Sequence, residues 1–368
     1  MTPPAEASSW LRRRYVDWLR GLAVLIMMEA HALDAWTHTS SRHGAVYQQL
    51  MMLGGFAAPL FLWLAGLSLA LSAERTLERT GSRAAAASGI VRRGAEIFIL
   101  AFVFRLQALV VSPGSWLVTV FRVDILNVLG IAIACSGLAW GLAQGVKSAV
   151  ALTGVVAIAV AMVTPVVREA AWVDRLPLWF QWHVRPFGEH TTFTLFPWAG
   201  FAFAGAAVGT LLAHARSQSA ERRLLVLLGV AGAALTWLGF YTAALPSIYH
   251  SSFFWTSSPT FFAIRVGVLL MALTAVFLAA EFGTVSVPGV HALEVFGRNS
   301  LFIYWIHVEI VYGYATWVLH RRLPLWGTTV AYAALTVLMY FTVHWRDRLL
   351  ERWRARGVAN RTAGAMPA

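Results

Sequence analysis

The sequence predicts an all-α, polytopic integral membrane protein with about ten transmembrane helices and both termini in the cytoplasm. Three observations carry that expectation. Apolar types make up 58% of the 368 residues and charged types only 12%, too few charges for the surface of a soluble domain of this length. The apolar residues fall in runs of about 20, enough to cross about 30 Å of hydrocarbon at 1.5 Å per residue. Those runs do not alternate apolar with polar, so a barrel is not expected.

Ten runs fit, near 18–37, 51–73, 94–111, 123–143, 148–167, 194–213, 224–244, 261–280, 299–319 and 325–344. An even count puts both termini on one side. The basic residues say which side. With this threading, 18 of the 29 fall on the face of the termini, from Arg12, Arg13 and Arg14 to Arg356 and Arg361, and 6 on the opposite face. Such a bias places the termini in the cytoplasm, and the expected location is the inner (plasma) membrane. The net charge of +12 is spread through short segments between apolar runs, so nucleic acid is not an expected partner. Membrane lipids are. Residues 1–345 read as one transmembrane domain and 346–368 as a basic cytoplasmic tail with a small-residue end. The one cysteine, Cys135, can form no intrachain disulfide.

The first run holds the most informative residues. It reads VDWLRGLAVLIMMEAHALDAW over 16–36 and carries Asp17, Arg20, Glu29, His31 and Asp34. No small-residue cleavage site follows it, so it stands as the first span. Asp17 and Arg20 share a helix face at the cytoplasmic edge. They can form an ion pair that anchors the span. His31 lies roughly 20 Å along the axis from Trp18, in the outer half of the membrane. Asp34, three residues on, shares its face and can hold one imidazole nitrogen while the other meets a reactant. Glu29 points nearly the opposite way and needs another partner, for which Arg105 or Arg265 qualifies. Ionisable groups at such depth are costly and generally face a cavity or pathway.

The later runs add fewer groups. Arg92 and Arg93 precede the third span. They are either orientation anchors or cations for phosphates. Arg122 and Asp124 open the fourth span, as an ion pair or as contacts for an acceptor. The outer segment 168–193 carries Trp179 and Trp182, either interface residues or stacking surfaces for a sugar ring. Arg265 lies in the outer part of its span. His307 lies about 14 Å along the ninth run from Arg298, with Tyr304 on its face and Glu309 pointing elsewhere, where Arg265 is a candidate partner for it. His38 and His43 are five apart in a loop with no ligand cluster nearby, so no metal site is expected.

The pattern D17-W-L-R20-G21 through H31 resembles the start of the transmembrane acyltransferases. That superfamily includes the heparan-α-glucosaminide N-acetyltransferase-like group and the acyltransferase-3 family. Five further segments follow in the superfamily's order: FAAPLFLWLAGLSLALS (56–72), VRRGAEIFIL, FRVDILNVLGIAIA, LFPWAGFAFAGAAVG and FGRNSLFIYWIHVEIVYG. The resemblance implies an acyltransferase that moves an acetyl or other acyl group from an acyl-CoA supplied in the cytoplasm. The implied acceptor is a hydroxyl or amine, often on a sugar, at the far face. A histidine is central to such chemistry. The heparan-like pattern points to His43 and the acyltransferase-3 pattern to His31, and this chain has both.

Acyl transfer from a thioester needs a base or acyl acceptor, oxyanion donors, and cations for the donor's phosphates. The candidates are His31, Asp34, His43 and His307 for catalysis, with Arg92, Arg93, Arg20 and Asp17 for the cofactor. Glu29, Arg122, Asp124, Arg265, Trp179 and Trp182 are candidates for contact with a glycan or small-molecule acceptor. The rival class is a proton-coupled transporter or flippase, in which the buried ionisable groups form a relay. No paired halves with broken helices are evident in the sequence to favour it.

Overall fold

A computed structural model describes residues 13–114, 116–283 and 288–363. Of the basic residues named above, Arg12 lies outside them, as does the extreme end of the tail. Every regular element among the described residues is helical. Among the described residues eight helices are long and apolar enough to cross a membrane, each matching one of the ten expected runs. The other two runs are also helical, with a difference. The first, α1 (Arg14–Trp36), carries the charges already noted. The ninth is cut short: α12 (Ser300–Tyr312) ends at Gly313, whose backbone is extended, and a 3-10 turn follows over Tyr314–Leu319.

The structure divides into two compact units, one containing the described parts of Met1–Leu19 with Gly55–Val285, the other those of Arg20–Gly54 with Ser286–Ala368. In the first unit the chain runs through α3 (Ala57–Thr80), α4 (Arg83–Val111), α5 (Ile125–Leu142), α6 (Val146–Glu169), the short α7 (Leu178–Val184), α8 (Leu195–Ala213), α9 (Gln218–Ala243) and α10 (Pro259–Phe282). Local sequence explains the ends. Gly81, at φ +67°, closes α3 with its N–H on the Leu77 carbonyl, a conformation that costs glycine little. Ser82 accepts from the Ala85 N–H to open α4. Asp124 and Asn127 form a reciprocal capping box at α5, satisfying donors that a helix start leaves orphaned.

Small residues set the packing inside this unit. A Cβ added at Gly66 would collide with the Ala202 carbonyl, and one at Gly205 with that of Trp63. Helices α3 and α8 thus touch backbone to backbone. Gly94 and Gly130 do the same for α4 and α5, and Gly232 and Gly267 for α9 and α10. In lipid no hydrophobic drive joins helices, so close van der Waals approach replaces it. Outward faces are apolar. On α4 the exposed residues Ile99, Val103, Leu106 and Val110 recur every three or four positions. That is a helical stripe suited to lipid and poorly tolerated in water. The N-terminal segment is tied on by Arg13, which pairs with Glu221 at 3.0 Å and donates to the Leu212 carbonyl at 2.7 Å.

The second unit contains residues 20–36 of α1, then α2 (Ala45–Gly54), α11 (Pro288–Arg298), α12 and α13 (Leu325–Ala363). Gly21 meets the backbone of Leu293, so any side chain there would push α11 away. The ends of α1 and of the 314–323 segment are sewn together. Leu323 donates to the Trp36 carbonyl at 2.9 Å and His38 to the Leu323 carbonyl at 2.7 Å. The Thr37 and Thr328 hydroxyls meet at 3.1 Å, both fully buried. Helix α13 has 39 residues and runs unbroken past the expected tail boundary at 345/346. The arginines there are good helix formers, so nothing local stops the helix. Arg346 donates to the Asn299 side chain and lies over the Phe302 ring at 4.4 Å.

Candidate functional site

In the second unit, α1 and α12 bring two histidines together. His31 Nδ1 lies 2.9 Å from His307 Nε2, and the rings stack at 5.1 Å between centroids, 14° from parallel. His307 is fully buried and His31 partly so. The other nitrogen of His307, Nδ1, lies 2.6 Å from the Ile303 carbonyl. A carbonyl only accepts, so Nδ1 of His307 carries the proton. Its Nε2 is then a lone pair, and His31 Nδ1 must donate to it. A neutral His31 held this way has its own Nε2 as the unprotonated, basic nitrogen. The hydrogen-bond chain therefore sets both tautomers. The sequence marks both histidines but gives no sign of their pairing, since they are 276 positions apart.

Contrary to the spacing, the imidazole of His31 meets His307 and not the carboxylate of Asp34. That carboxylate accepts from the Tyr312 hydroxyl at 2.9 Å. The Tyr312 ring packs edge-on to His31 at 5.6 Å, so the tyrosine spans the gap that helical spacing alone was expected to close. The side chain of Asp34 is also about half exposed and lies 3.9 Å from Arg42. Arg42 itself donates to the Asp34 and Thr37 carbonyls at 2.5 and 3.1 Å. Tyr312 went unnoticed in the sequence. Its signal was one more polar-tipped side chain, after Tyr304 and His307, on a short apolar helix. Tyr304 stands edge-on to His307 at 6.1 Å.

The remaining candidates are dispersed. His43 is exposed in the turn between α1 and α2. Glu29 is half-buried on α1, one turn beyond Leu25, whose carbonyl accepts from Tyr332. Asp17 and Arg20 are also half-buried on α1. Arg92 and Arg93 are largely exposed on α4 and both approach Glu96, at 3.9 and 3.1 Å.

Arg122 and Asp124 do not pair with each other. Asp124 forms its ion pair with Arg105, and Arg122 donates to Thr192 at 2.8 Å. Asp124 is the N-cap of α5, so its carboxylate turns along the helix start toward α4. Arg105 is accordingly committed inside its own unit. Arg265 is buried, over the rings of Phe261 and Trp198.

Trp179 and Trp182 line a hollow of about 430 Å³ in the first unit, with Phe102, Val118, Phe121 and Leu178. Both are also held by their own partners. The Trp179 N–H donates to the Phe121 carbonyl at 2.9 Å, and Trp182 is buried and stacked on His190 at 4.6 Å. Burial pushes the neighbouring His183 below the usual histidine range, partly offset by its 3.0 Å contact with the Trp179 carbonyl.

Known proteins give this geometry a family. The sequence profile described as heparan-alpha-glucosaminide N-acetyltransferase, catalytic, matches residues 12–245. That range contains His31, His43 and every candidate named above except Arg265, Tyr304, His307 and those C-terminal to them. No curated protein matches the chain. With more than half of its length matched and eight helices fit to cross a bilayer, this chain belongs to the heparan-alpha-glucosaminide N-acetyltransferase catalytic family and is a multi-pass membrane acetyltransferase.

Proposed function

We propose that the protein transfers an acetyl or similar acyl group from acyl-CoA to a hydroxyl or amine of a glycan or small acceptor at the outer membrane face. His31 is the base in this reading and His307 orients it. The observation that carries it is the 2.9 Å contact between them, backed by the Ile303 carbonyl. His31 Nε2 takes the acceptor's proton as the acceptor oxygen or nitrogen attacks the thioester carbonyl carbon. The new C–O or C–N bond forms, the C–S bond breaks, and the thiolate leaves with the proton that His31 returns. Through the transfer, the lone pair of His307 Nε2 faces the transient charge on His31, as a fixed hydrogen-bond acceptor does in a catalytic triad. Arg92 and Arg93 serve the donor's phosphates. Their exposed pairs with Glu96 are weak, worth about 0–1 kcal/mol, and yield readily to a phosphate.

Two substitutions test the assignment, with release of free CoA thiol as the assay. His43→Ala is expected to keep the wild-type rate within about twofold, because its side chain projects from an exposed turn. A large loss there, with His31 dispensable, would move the chemistry to His43. Tyr312→Phe removes the hydroxyl that donates to Asp34, so the rate is expected to fall roughly three- to tenfold with KM little changed.

A further inference from the structure

Buried cations in a membrane protein ordinarily find a carboxylate or a carbonyl. Several here do: Arg13 pairs with Glu221, Arg105 with Asp124, and Arg168 donates to Thr194 and to the Phe196 carbonyl. Arg265 is different. It sits on the second turn of α10 and is 9% exposed. Its guanidinium carbon lies 4.0 Å from the centre of the Phe261 ring and 5.4 Å from that of Trp198. Among the described residues its buried Nε has no hydrogen-bond partner, and no carboxylate or carbonyl pairs with the group.

Ring faces attract a cation but satisfy none of its N–H donors. Arginine does not shed its charge to escape burial. A guanidinium stacked in this way keeps its planar fork of donors oriented, and that fork matches a two-oxygen anion.

The surroundings are built to hold it still. Trp198 packs edge-on to Phe193 at 4.8 Å. The entry to α8 just before it is clamped by Arg168, whose Nη2 reaches the Phe196 carbonyl at 2.7 Å and Thr194 at 2.8 Å. Phe262, beside Phe261, packs on Phe201 at 4.5 Å and against Gly200. The aromatic shelf is therefore fixed from both α8 and α10. A rigid shelf under a cation with an orphaned Nε and no carboxylate or carbonyl partner is the arrangement of a binding subsite, because a merely structural arginine would be matched by the fold itself.

We propose that Arg265 is the receptor for an oxyanion group, a carboxylate or a phosphoryl, on a molecule that the protein handles. This deepens the transferase reading by making one of its substrates acidic at this point. Only the choice of which substrate bears the group rests on that reading. The shared chemistry is a compact two-oxygen anion, and the probes separate its sources: D-glucuronate presents a carboxylate on a sugar, and pyrophosphate presents phosphoryl oxygens as a nucleotide donor does.

The test is thermal unfolding of the full chain in lipid nanodiscs, with each probe against sodium chloride of equal ionic strength and against glucose. A saturating probe is expected to raise the midpoint by roughly 2–4 °C. A shift with glucuronate alone assigns the subsite to the acceptor. A shift with pyrophosphate alone assigns it to the donor. Arg265→Met is expected to abolish the shift and, without probe, to lower the midpoint by no more than a few degrees, since it gives up only the contacts with the Phe261 and Trp198 rings. Arg265→Lys keeps the charge and loses the fork, and is expected to bind about tenfold more weakly.

The proposal is overturned if neither probe exceeds the salt control, if Arg265→Met retains the shift, or if Arg265→Lys binds as tightly as the wild type. Failure of the transferase reading looks different: wild type would release no CoA thiol in the presence of acceptor, while the probe-induced shift persisted.

Discussion

Replacing His31 by Gln is expected to lower acyl transfer by roughly 10²–10⁴-fold, the range that a positioned base supplies. The loss falls on kcat, because Gln fills a similar volume but cannot accept and return a proton. Its amide still donates to His307 Nε2, so the buried acceptor keeps a partner and the fold is preserved. His307→Gln is expected to act through His31 and to cost less. The Ile303 carbonyl and the 2.9 Å contact now hold the imidazole in one tautomer, and without them it samples the other. Comparison of kcat, KM and thermal midpoint for the two variants checks the assignment. Equal activity of His31→Gln and wild type would remove the histidine pair from the chemistry.

Gly205→Leu is expected to have the largest effect on stability. The added side chain would be driven into the Trp63 carbonyl on α3, where backbone faces backbone and no rotamer relieves the clash. Overpacking typically costs about 1–3 kcal/mol where neighbouring side chains can move. Here the whole α3–α8 contact must open, so a loss at or above the upper end of that range is expected. It would be seen as a fall in the unfolding midpoint and in the monodisperse yield after extraction. Gly145→Ala is the control, because a Cβ there meets nothing within 4 Å. A Gly205→Leu protein as stable as this control would show that close approach of the two helices is dispensable.

The sequence alone determined the class, the helical character and the family resemblance, because these rest on composition, run length and local order. The runs at 51–73 and 94–111 could hardly be anything but helices in lipid. It also marked His31, Asp34, Arg265 and His307 as costly groups. Cost is a property of one residue in its solvent, and it can be read from a single span.

Pairing is not such a property. Asp34 stands three residues from His31, and spacing suggested a direct bond. The structure instead gives Asp34 to Tyr312 and His31 to His307, because α12 packs beside α1 and brings better-placed partners. Arg122 and Asp124, two residues apart, are likewise drawn to different neighbours. Arg265 is singled out by what the fold does not supply it. The sequence determined which residues had to be satisfied. Only the tertiary structure decided by whom, since hydrogen bonds and ion pairs depend on distances of a few ångströms between helices that are far apart along the chain.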